Sequence, residues 1–437
     1  MLATLHSRIA PAIHATRPLE LFGRIAQVVG LVIESEGPQV PIGEVLRIRN
    51  RSGEFIGSCE VVGFRDNRIL SMVLGETTDL MPGMELVATH KPMSVGVGNF
   101  LLGRVLDGLG NPIDGKGGFG ISEYRSIYAQ PPNPLLRKRI SEPITTGIRA
   151  LDGVMTIGKG QRIGIFAGSG VGKSTTLGMI ARNTTADINV IALIGERGRE
   201  VREFIEKDLG EEGLQRSIVV CATSDQPALL RLKAALTATT IAEYFRDQGF
   251  DVMLMMDSVT RLAMAQREVG LAVGEPPTAK GYTPSVFALM HKTMERSGTS
   301  DIGTITALYT VLVEGDDMNE PIADAARGIL DGHVVLSRKL GAQGHYPAID
   351  VLQSLSRVMG DITTKEHRAA ASQMKELMAL YNDAEDLINV GAYQPGANPR
   401  LDRAVRMNDQ IRSYLRQSTD ESLSYSDSIS RLMAMMQ

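Results

Sequence analysis

Residues 167–174 read Ala167-Gly-Ser-Gly-Val-Gly-Lys-Ser174, and the organisation of the chain follows from this stretch. It comes after an apolar run, Arg162-Ile-Gly-Ile-Phe166, which predicts a buried parallel strand. It comes before Ser174–Arg182, which predicts a helix. A strand, a glycine-rich turn and a helix that begins at Lys-Ser are typical of a phosphate-binding P-loop, because the glycines let successive N–H groups approach a phosphate chain.

The loop departs from the G-x-x-x-x-G-K-[ST] pattern at Ala167, where the pattern begins with glycine. Alanine is tolerated there if its φ is negative. We expect Lys173 to reach the β- and γ-phosphates and the Ser174 hydroxyl to bind Mg²⁺. A chance glycine-rich loop is the alternative, which the flanking strand and helix disfavour. The predicted nucleotide-binding residues of the loop are Gly168, Ser169, Gly170, Val171, Gly172, Lys173, Ser174 and Thr175.

The composition is that of an ordinary globular protein, with 43% apolar and 22% charged residues in a chain of 437. The formal net charge of −4 argues against a protein dedicated to nucleic acid. No apolar stretch approaches the length of a membrane span. We therefore expect any association with a membrane to occur through partners.

The N-terminal segment, residues 1–18, has apolar residues at helical spacing and carries two arginines but no acid. Pro11 interrupts the pattern. One interpretation is a frayed terminus that packs on its own domain. The other is a helix that binds a partner protein. The apolar residues are Leu2, Leu5, Ile9 and Ile13.

Three further regions follow. From about residue 21 to 89, short strands separated by turn residues predict a small β-barrel without a basic and aromatic face for nucleic acid. Residues 91–150 form a connector rich in glycine and proline. From about residue 163 to 340, apolar strands alternate with helical stretches, which predicts a parallel sheet covered on both faces. The predicted strands are 163–167, 189–194, 217–222, 251–256, 303–313 and 332–337.

After about residue 365 the pattern is helical. Two apolar faces are predicted, separated by a break from Gly391 to Pro399, which gives a third, helical domain. The first face consists of Met374, Leu377, Met378 and Tyr381, and the second of Leu401, Ala404, Val405 and Leu415.

Two acidic residues follow predicted strands near the P-loop. Asp257 ends the apolar strand Asp251–Met256, as in a Walker B motif, and is expected to hold Mg²⁺ through water. An ordinary helix N-cap is the alternative for this residue, and both can hold together. Glu196 follows the strand at 189–194, in the crevice where such sheets bind ligands. It is expected to act as general base on the attacking water, whereas a solvated charge run is the alternative.

Four segments together resemble the rotary-type ATPase family, which includes catalytic subunits of F- and V-type ATPases and the ATPases of flagellar and virulence type III secretion. They are the P-loop, Gly195–Val201, Asp257-Ser-Val-Thr-Arg261 and Pro347-Ala-Ile-Asp-Val-Leu-Gln-Ser-Leu-Ser-Arg357. The resemblance covers nearly the whole chain. It implies a small N-terminal β-barrel, a central RecA-like domain and a C-terminal helical domain, at residues 1–90, 91–364 and 365–437.

Within this family the chain most resembles the flagellar export ATPases, on the segments Pro131–Arg137 and Met155–Arg162 and on the P-loop. The resemblance implies a cytosolic enzyme that hydrolyses Mg·ATP. A virulence-secretion ATPase has the same chemistry and stays open as an alternative. A rotary synthase subunit, a subunit that only binds nucleotide and an RNA translocase are less favoured.

The resemblance also implies roles for single residues. Arg357 matches the arginine finger that this family inserts into the neighbouring subunit's site, which implies a homo-hexameric ring with shared sites. Arg197 and Arg261 match further arginines near the γ-phosphate. Tyr346 matches an aromatic that packs on adenine, and Tyr393 is a second candidate from the C-terminal domain. Either tyrosine is equally consistent with ordinary core packing.

The partners implied are a regulatory or stator protein at the N-terminal segment, a central stalk protein, an export-gate membrane complex and chaperone–substrate complexes. These partners place the enzyme in the cytoplasm at the inner face of the cell membrane. The polar loop Gly274–Pro284, rich in glycine and proline, is expected to face the central hole of the ring. Lys280 and Tyr282 are its candidates for contact with the stalk or a substrate.

Overall fold

The computed structural model describes residues 20–75 and 79–437. The helix predicted within residues 1–18 lies outside these ranges and stays a prediction. The described residues form two compact units. The first comprises the chain up to Ser94 together with 271–275, and the second comprises the remainder.

Six antiparallel strands form a closed barrel in the first unit. They are β1 (Phe22–Val29), β2 (Val32–Glu36), β3 (Glu44–Arg49), β4 (Phe55–Arg65), β5 (Arg68–Val73) and β6 (Glu85–Pro92). Their order around the barrel is β1-β2-β5-β4-β3-β6. Ile33, Leu46 and Leu86 are fully buried in its interior. Closure leaves this sheet without an exposed edge, as the turn pattern predicts for a small barrel.

The second unit is built on a mainly parallel sheet. The remaining strands are β7 (Ser94–Val97), β8 (Val105–Leu106), β9 (Glu123–Ser126), β10 (Arg162–Ala167), β11 (Ile188–Ile194), β12 (Ser217–Ala222), β13 (Asp251–Asp257), β14 (Gly298–Thr299), β15 (Thr304–Leu312), β16 (Gly332–Leu336) and β17 (Ile349–Ser356). The sheet has the order β17-β16-β10-β15-β13-β11-β12-β8, with β14 beside β15, while β7 and β9 pair separately. Every residue of β11 and β12 is buried, as expected for strands covered on both faces.

Helices cover this sheet and form the C-terminal region. They are α1 (Arg149–Val154), α2 (Lys173–Asn183), α3 (Gly198–Glu203), α4 (Gly210–Gln215), α5 (Ala228–Asp247), α6 (Val259–Val273), α7 (Pro284–Glu295), α8 (Pro321–Ile329), α9 (Arg338–Ala342), α10 (Met359–Ile362), α11 (Lys365–Asn389), α12 (Pro399–Leu415) and α13 (Tyr425–Met436). A π-helical turn, Phe204–Leu209, joins α3 to α4. Across the described ranges, none of the helices combines the length and apolarity needed to cross a membrane.

The predicted fold class is confirmed, and each of the six predicted strands is found within one residue of its predicted ends. The predicted helical faces are also found. Met374 and Leu377 of α11 and Ala404 and Leu415 of α12 are buried. The sequence analysis missed the edge strand β17, which pairs antiparallel with β16, and the last helix, α13. β17 alternates apolar and polar residues, the pattern of a half-exposed edge strand rather than of a buried parallel one.

Candidate active site

The predicted phosphate loop joins β10 to α2, and its backbone suits phosphate binding. Gly170 and Gly172 have φ values of 78° and 90°, which glycine adopts without steric cost. Ala167 is the buried last residue of β10, and its φ is not positive, so alanine is accommodated there. The loop ends at the N-terminus of α2, where unpaired N–H groups and the helix dipole favour an anion. The other predicted loop residues, Gly168, Ser169, Val171, Ser174 and Thr175, lie in this loop or in the first turn of α2.

Three charged side chains meet at the carboxyl ends of the parallel strands. Lys173 Nζ lies 2.5 Å from Asp257 Oδ1 and 3.4 Å from Glu196 Oε1. Only 12%, 3% and 15% of the Lys173, Asp257 and Glu196 side chains are exposed. Parallel strands end at one edge of a sheet, so residues far apart in sequence come together here. The structure thus assembles the predicted lysine, Walker B aspartate and general base in one cluster.

The pKa values in this cluster suit acid–base chemistry. Burial raises the pKa of Glu196 to about 7; the Lys173 charge opposes the rise, and the Asp257 charge adds to it. For Lys173, burial acts to lower the pKa, but the charges of Asp257 and Glu196 outweigh it and the pKa is raised. Lys173 therefore stays charged at neutral pH. Glu196 is close to half-ionised, which is the condition of an effective general base.

Thr310, near the end of β15, is a residue of this site that the sequence analysis missed. Its hydroxyl donates a hydrogen bond of 2.8 Å to Asp257 Oδ1, the oxygen that also contacts Lys173. The bond fixes the carboxylate, because the hydroxyl comes from a strand paired with β13. A polar residue at the end of an apolar strand is the signal that could have indicated it.

Asp257 and Ser174 are the residues of the site suited to Mg²⁺. Carboxylate and hydroxyl oxygens fit this hard cation, which commonly takes few protein ligands and completes its coordination with water and substrate phosphates. Within residues 20–75 and 79–437, no group of three or more His, Cys, Asp or Glu side chains is arranged to hold a metal. The donor set therefore fits an ion held jointly by the protein and a nucleotide.

The two arginines predicted near the γ-phosphate differ in position. The Arg261 side chain packs against Gly195, where a Cβ atom would lie 3.0 Å from it, so it lies next to Glu196. Arg261 Nε is buried without a hydrogen-bond partner among the described residues. The Arg197 side chain is 82% exposed and lies 3.5 Å from Glu200. The structure therefore brings Arg261, but not Arg197, to the cluster.

Arg357 lies far from the phosphate loop of its own chain. It follows β17, where Ser356 pairs with Gly332 at the start of β16. Because β16 is parallel to β10, Arg357 lies at the edge where the parallel strands begin, whereas the phosphate loop follows their ends. β10 spans six residues between these edges, or about 20 Å. The Arg357 side chain is exposed, and its Nη2 is 3.5 Å from the Arg327 carbonyl oxygen.

Of the two tyrosines considered for adenine, the structure brings Tyr346 to the phosphate loop. A Cβ atom at Gly172 would lie 3.7 Å from the Tyr346 ring. The residue is 49% exposed, so the side chain is accessible to a ligand. Tyr393 lies between α11 and α12 and donates a hydrogen bond to Asp402. Among the described residues no contact links Tyr393 to the loop, and its predicted role stays a prediction.

Comparison with known proteins agrees with this geometry. Residues 147–356 match the profile of the ATP synthase alpha/beta family, nucleotide-binding domain. Residues 25–90 match the beta-barrel domain of the same family. Residues 363–434 match the T3SS EscN ATPase C-terminal domain. All three architectural regions of the chain are therefore represented in this family.

Similar proteins cover nearly the full chain. The flagellum-specific ATP synthase of Bacillus subtilis is 56% identical, and the match covers 97% of each chain. The type 3 secretion system ATPase of Xanthomonas euvesicatoria is 51% identical, over 94% of this chain and 93% of that one. The assembled ATPase EscN of enteropathogenic E. coli superposes with a TM-score of 0.90 at 46% identity, over 95% of this chain and 100% of that one.

A second solved structure shows EscN in complex with its central stalk EscO, with a TM-score of 0.88 and 45% identity over 95% of this chain and 100% of that one. The described fold, the clustered P-loop and acidic residues, and the length of these matches lead to one assignment. The chain belongs to the ATP synthase alpha/beta family, in the branch of the flagellum-specific and type III secretion ATPases, and is an ATP-hydrolysing enzyme.

Proposed function

We propose that the chain hydrolyses Mg·ATP as a homo-hexameric ring and serves flagellar protein export. The cluster of Lys173, Asp257 and Glu196 is the observation that carries the catalytic part of the proposal. The similarity to flagellum-specific enzymes, with 56% identity to the one from Bacillus subtilis, supports the flagellar assignment. Export of virulence proteins is the second candidate, because a type 3 secretion ATPase is 51% identical.

We propose that the loop binds the phosphates of ATP and that Tyr346 packs on the adenine. Backbone N–H groups of the loop and the Lys173 ammonium hold the phosphates by directed hydrogen bonds and charge. Lys173 must exchange its contact with Glu196 for the γ-phosphate, which frees that carboxylate. Glu196 then orients the attacking water and takes its proton, and Arg261 lies beside it to balance developing charge.

Asp257 and Ser174 are proposed to hold Mg²⁺. The ion, when bound, supplies positive charge that polarises the phosphate oxygens. The hydrogen bond from Thr310 and the burial of Asp257 keep that carboxylate in one orientation. The chain thereby offers a fixed ligand before the nucleotide arrives, which lowers the ordering cost of binding.

Arg357 is proposed to act on the site of a neighbouring copy. It lies at the sheet edge opposite its own phosphate loop, and its side chain is exposed. A guanidinium suits this role because its planar fork matches the equatorial oxygens of the γ-phosphate. One kind of chain carries both the loop and the finger, so a closed ring of identical copies supplies every site with both.

The remaining partners follow from the similarity to secretion ATPases. EscN is known in complex with a central stalk, and we propose an equivalent stalk protein for this ring. We further propose a stator protein at the N-terminal segment, an export-gate membrane complex and chaperone–substrate complexes. Together they place the enzyme in the cytoplasm at the inner face of the membrane. We propose no nucleic-acid partner, given the net charge of −4.

For the loop at residues 274–284 the structure separates the two contact candidates. The Tyr282 residue is only 4% exposed, and its ring lies 5.2 Å from the Arg267 guanidinium. The Lys280 side chain is 56% exposed and is 3.5 Å from Asp317. We therefore assign outward contact to Lys280, and an internal packing role to Tyr282.

The test of the export function is complementation of a strain that lacks its own flagellar export ATPase. Wild-type protein is expected to restore secretion of filament protein and motility, whereas Glu196→Gln, which removes only the proposed base, is expected to restore neither. Glu212→Gln, at an exposed position of α4, is the matched control and is expected to restore both. Restoration of a virulence secretion system but not of flagellar export would favour the second candidate.

A further inference from the structure

Gln417, which lies just beyond the end of α12, uses its whole side-chain amide in hydrogen bonds. Its Nε2 donates to the Gly147 carbonyl at 2.7 Å and to the Glu421 carbonyl at 2.8 Å, and its Oε1 accepts from the Arg149 N–H at 3.0 Å. The residue is 5% exposed. Two donor hydrogens and one acceptor are therefore satisfied inside the protein, which fixes the side chain in one position.

The backbone of the same residue holds Tyr346. The Gln417 N–H donates to the Tyr346 carbonyl at 2.9 Å. The Tyr346 ring lies over the last glycine of the phosphate loop, Gly172. The backbone of Gln417 thus contacts the residue proposed to pack on adenine, whereas its side chain bonds to Gly147, Arg149 and Glu421.

The partners of Gln417 are themselves fixed. Arg149 of α1 is 6% exposed, and its guanidinium contacts both the Glu421 carboxylate and the Arg416 carbonyl. The turn before α1 is held by Asp152, which accepts hydrogen bonds from the N–H groups of Thr146 and Gly147. The segment 416–421 therefore rests on a rigid frame that includes the start of the nucleotide-binding region.

We infer that Gln417 is a positioning residue for ATP, which holds Tyr346 at a set height over the phosphate loop and ties it to the C-terminal helices. The inference rests on the proposed packing of adenine on Tyr346. A half-exposed ring gains affinity for a planar base when it is ordered beforehand, because the ligand then does not bear the cost of ordering it. The backbone N–H of Gln417 holds Tyr346 in place, and the side-chain hydrogen bonds of Gln417 hold that backbone in place.

The test measures KM and kcat for ATP, and binding of a non-hydrolysable ATP analogue, in the full-length protein. We expect Gln417→Ala to raise KM and the analogue Kd about tenfold, the loss of roughly one well-formed interaction, with kcat within about twofold because the charged cluster is untouched. Gln410→Ala, at an exposed position of α12, is the matched control and should change neither. Unchanged KM and Kd in Gln417→Ala would overturn the inference.

A double-mutant cycle separates positioning from a general structural effect. Tyr346→Ala is expected to raise KM, and Gln417→Ala is expected to add little in that background, because its effect passes through Tyr346. Fully additive effects would overturn the inference. If Tyr346→Ala leaves KM unchanged, the proposed adenine site is wrong and the inference falls with it. If Gln417→Ala lowers the unfolding midpoint, Gln417→Met, which keeps the volume but not the hydrogen bonds, decides by the same measurements.

Discussion

Replacement of Glu196 by glutamine is predicted to stabilise the fold at alkaline pH while it removes ATP turnover. Burial raises the pKa of Glu196 from 4.5 to about 7. The protonated form is therefore favoured over the ionised form by about 3 kcal/mol more in the folded chain than in the unfolded chain. This preference becomes a cost once the pH exceeds the folded pKa, because both folded and unfolded states are then ionised. A neutral glutamine avoids that cost, and it retains an oxygen for Lys173.

The size of the effect depends on pH in a defined direction. At pH 8 the variant should be more stable by about 2–3 kcal/mol, allowing for screening by water at the partly exposed carboxylate. At pH 5 the gain should fall below about 1 kcal/mol, because the folded wild type is already protonated. Loss of the proposed base should lower kcat about 10²- to 10⁴-fold at pH 8. At pH 5 the fold-change should be smaller, because the wild-type carboxyl is then mostly protonated and is itself a poor base.

Urea denaturation at the two pH values, with turnover measured on the same samples, tests this prediction. Glu212→Gln, at an exposed position of α4, is the control, and a change within about 0.5 kcal/mol is expected. Equal stability changes at pH 5 and pH 8, or destabilisation at pH 8, would refute the reasoning. Burial of the Glu196 carboxylate would then not be the cause of any change in the free energy of unfolding.

Three other substitutions test separate parts of the structure. Thr310→Val should lower kcat about tenfold, since a charge-assisted hydrogen bond to the Walker B carboxylate is lost; steady-state turnover with unchanged analogue binding checks it. Gly172→Ala should cost about 1 kcal/mol or more at its φ of 90° and weaken ATP binding in calorimetry, whereas Gly198→Ala, with open space around its position, should be tolerated. Arg296→Met leaves the carboxylate of Glu243 buried and unpaired and should lower the free energy of unfolding by about 3–5 kcal/mol; equal loss in the double variant with Glu243→Leu would contradict this.

The central sheet could be predicted because its strands are buried on both faces. Such strands are continuous apolar runs, and helical segments separate them in regular alternation. β17 could not be found in this way, since an edge strand exposes one face and carries polar residues such as Asp350 and Gln353. Its direction, which determines where Arg357 lies, depends on pairing with β16 and is not encoded in its own sequence.

The candidate site shows the same division between local and tertiary information. Lys173 and Asp257 belong to local motifs, each with a strand that fixes its position, and both are found where predicted. Thr310 belongs to no motif, and only the pairing of β15 with β13 brings its hydroxyl to Asp257. The roles of Arg197, Tyr393 and Arg357 depend on nucleotide or on a second copy, and these stay predictions.

The claim that each site is shared by two copies can be tested by mixing two inactive variants. Lys173→Ala removes the proposed phosphate-binding lysine, and Arg357→Ala removes the proposed finger, so each variant alone should hydrolyse almost no ATP. In a ring assembled at random from equal amounts, about a quarter of the sites combine an intact loop with an intact neighbouring finger. ATP turnover of the mixture is therefore predicted to recover to about a quarter of the wild-type rate. Turnover that stays at the level of the separate variants, at every ratio and protein concentration, would contradict a shared site.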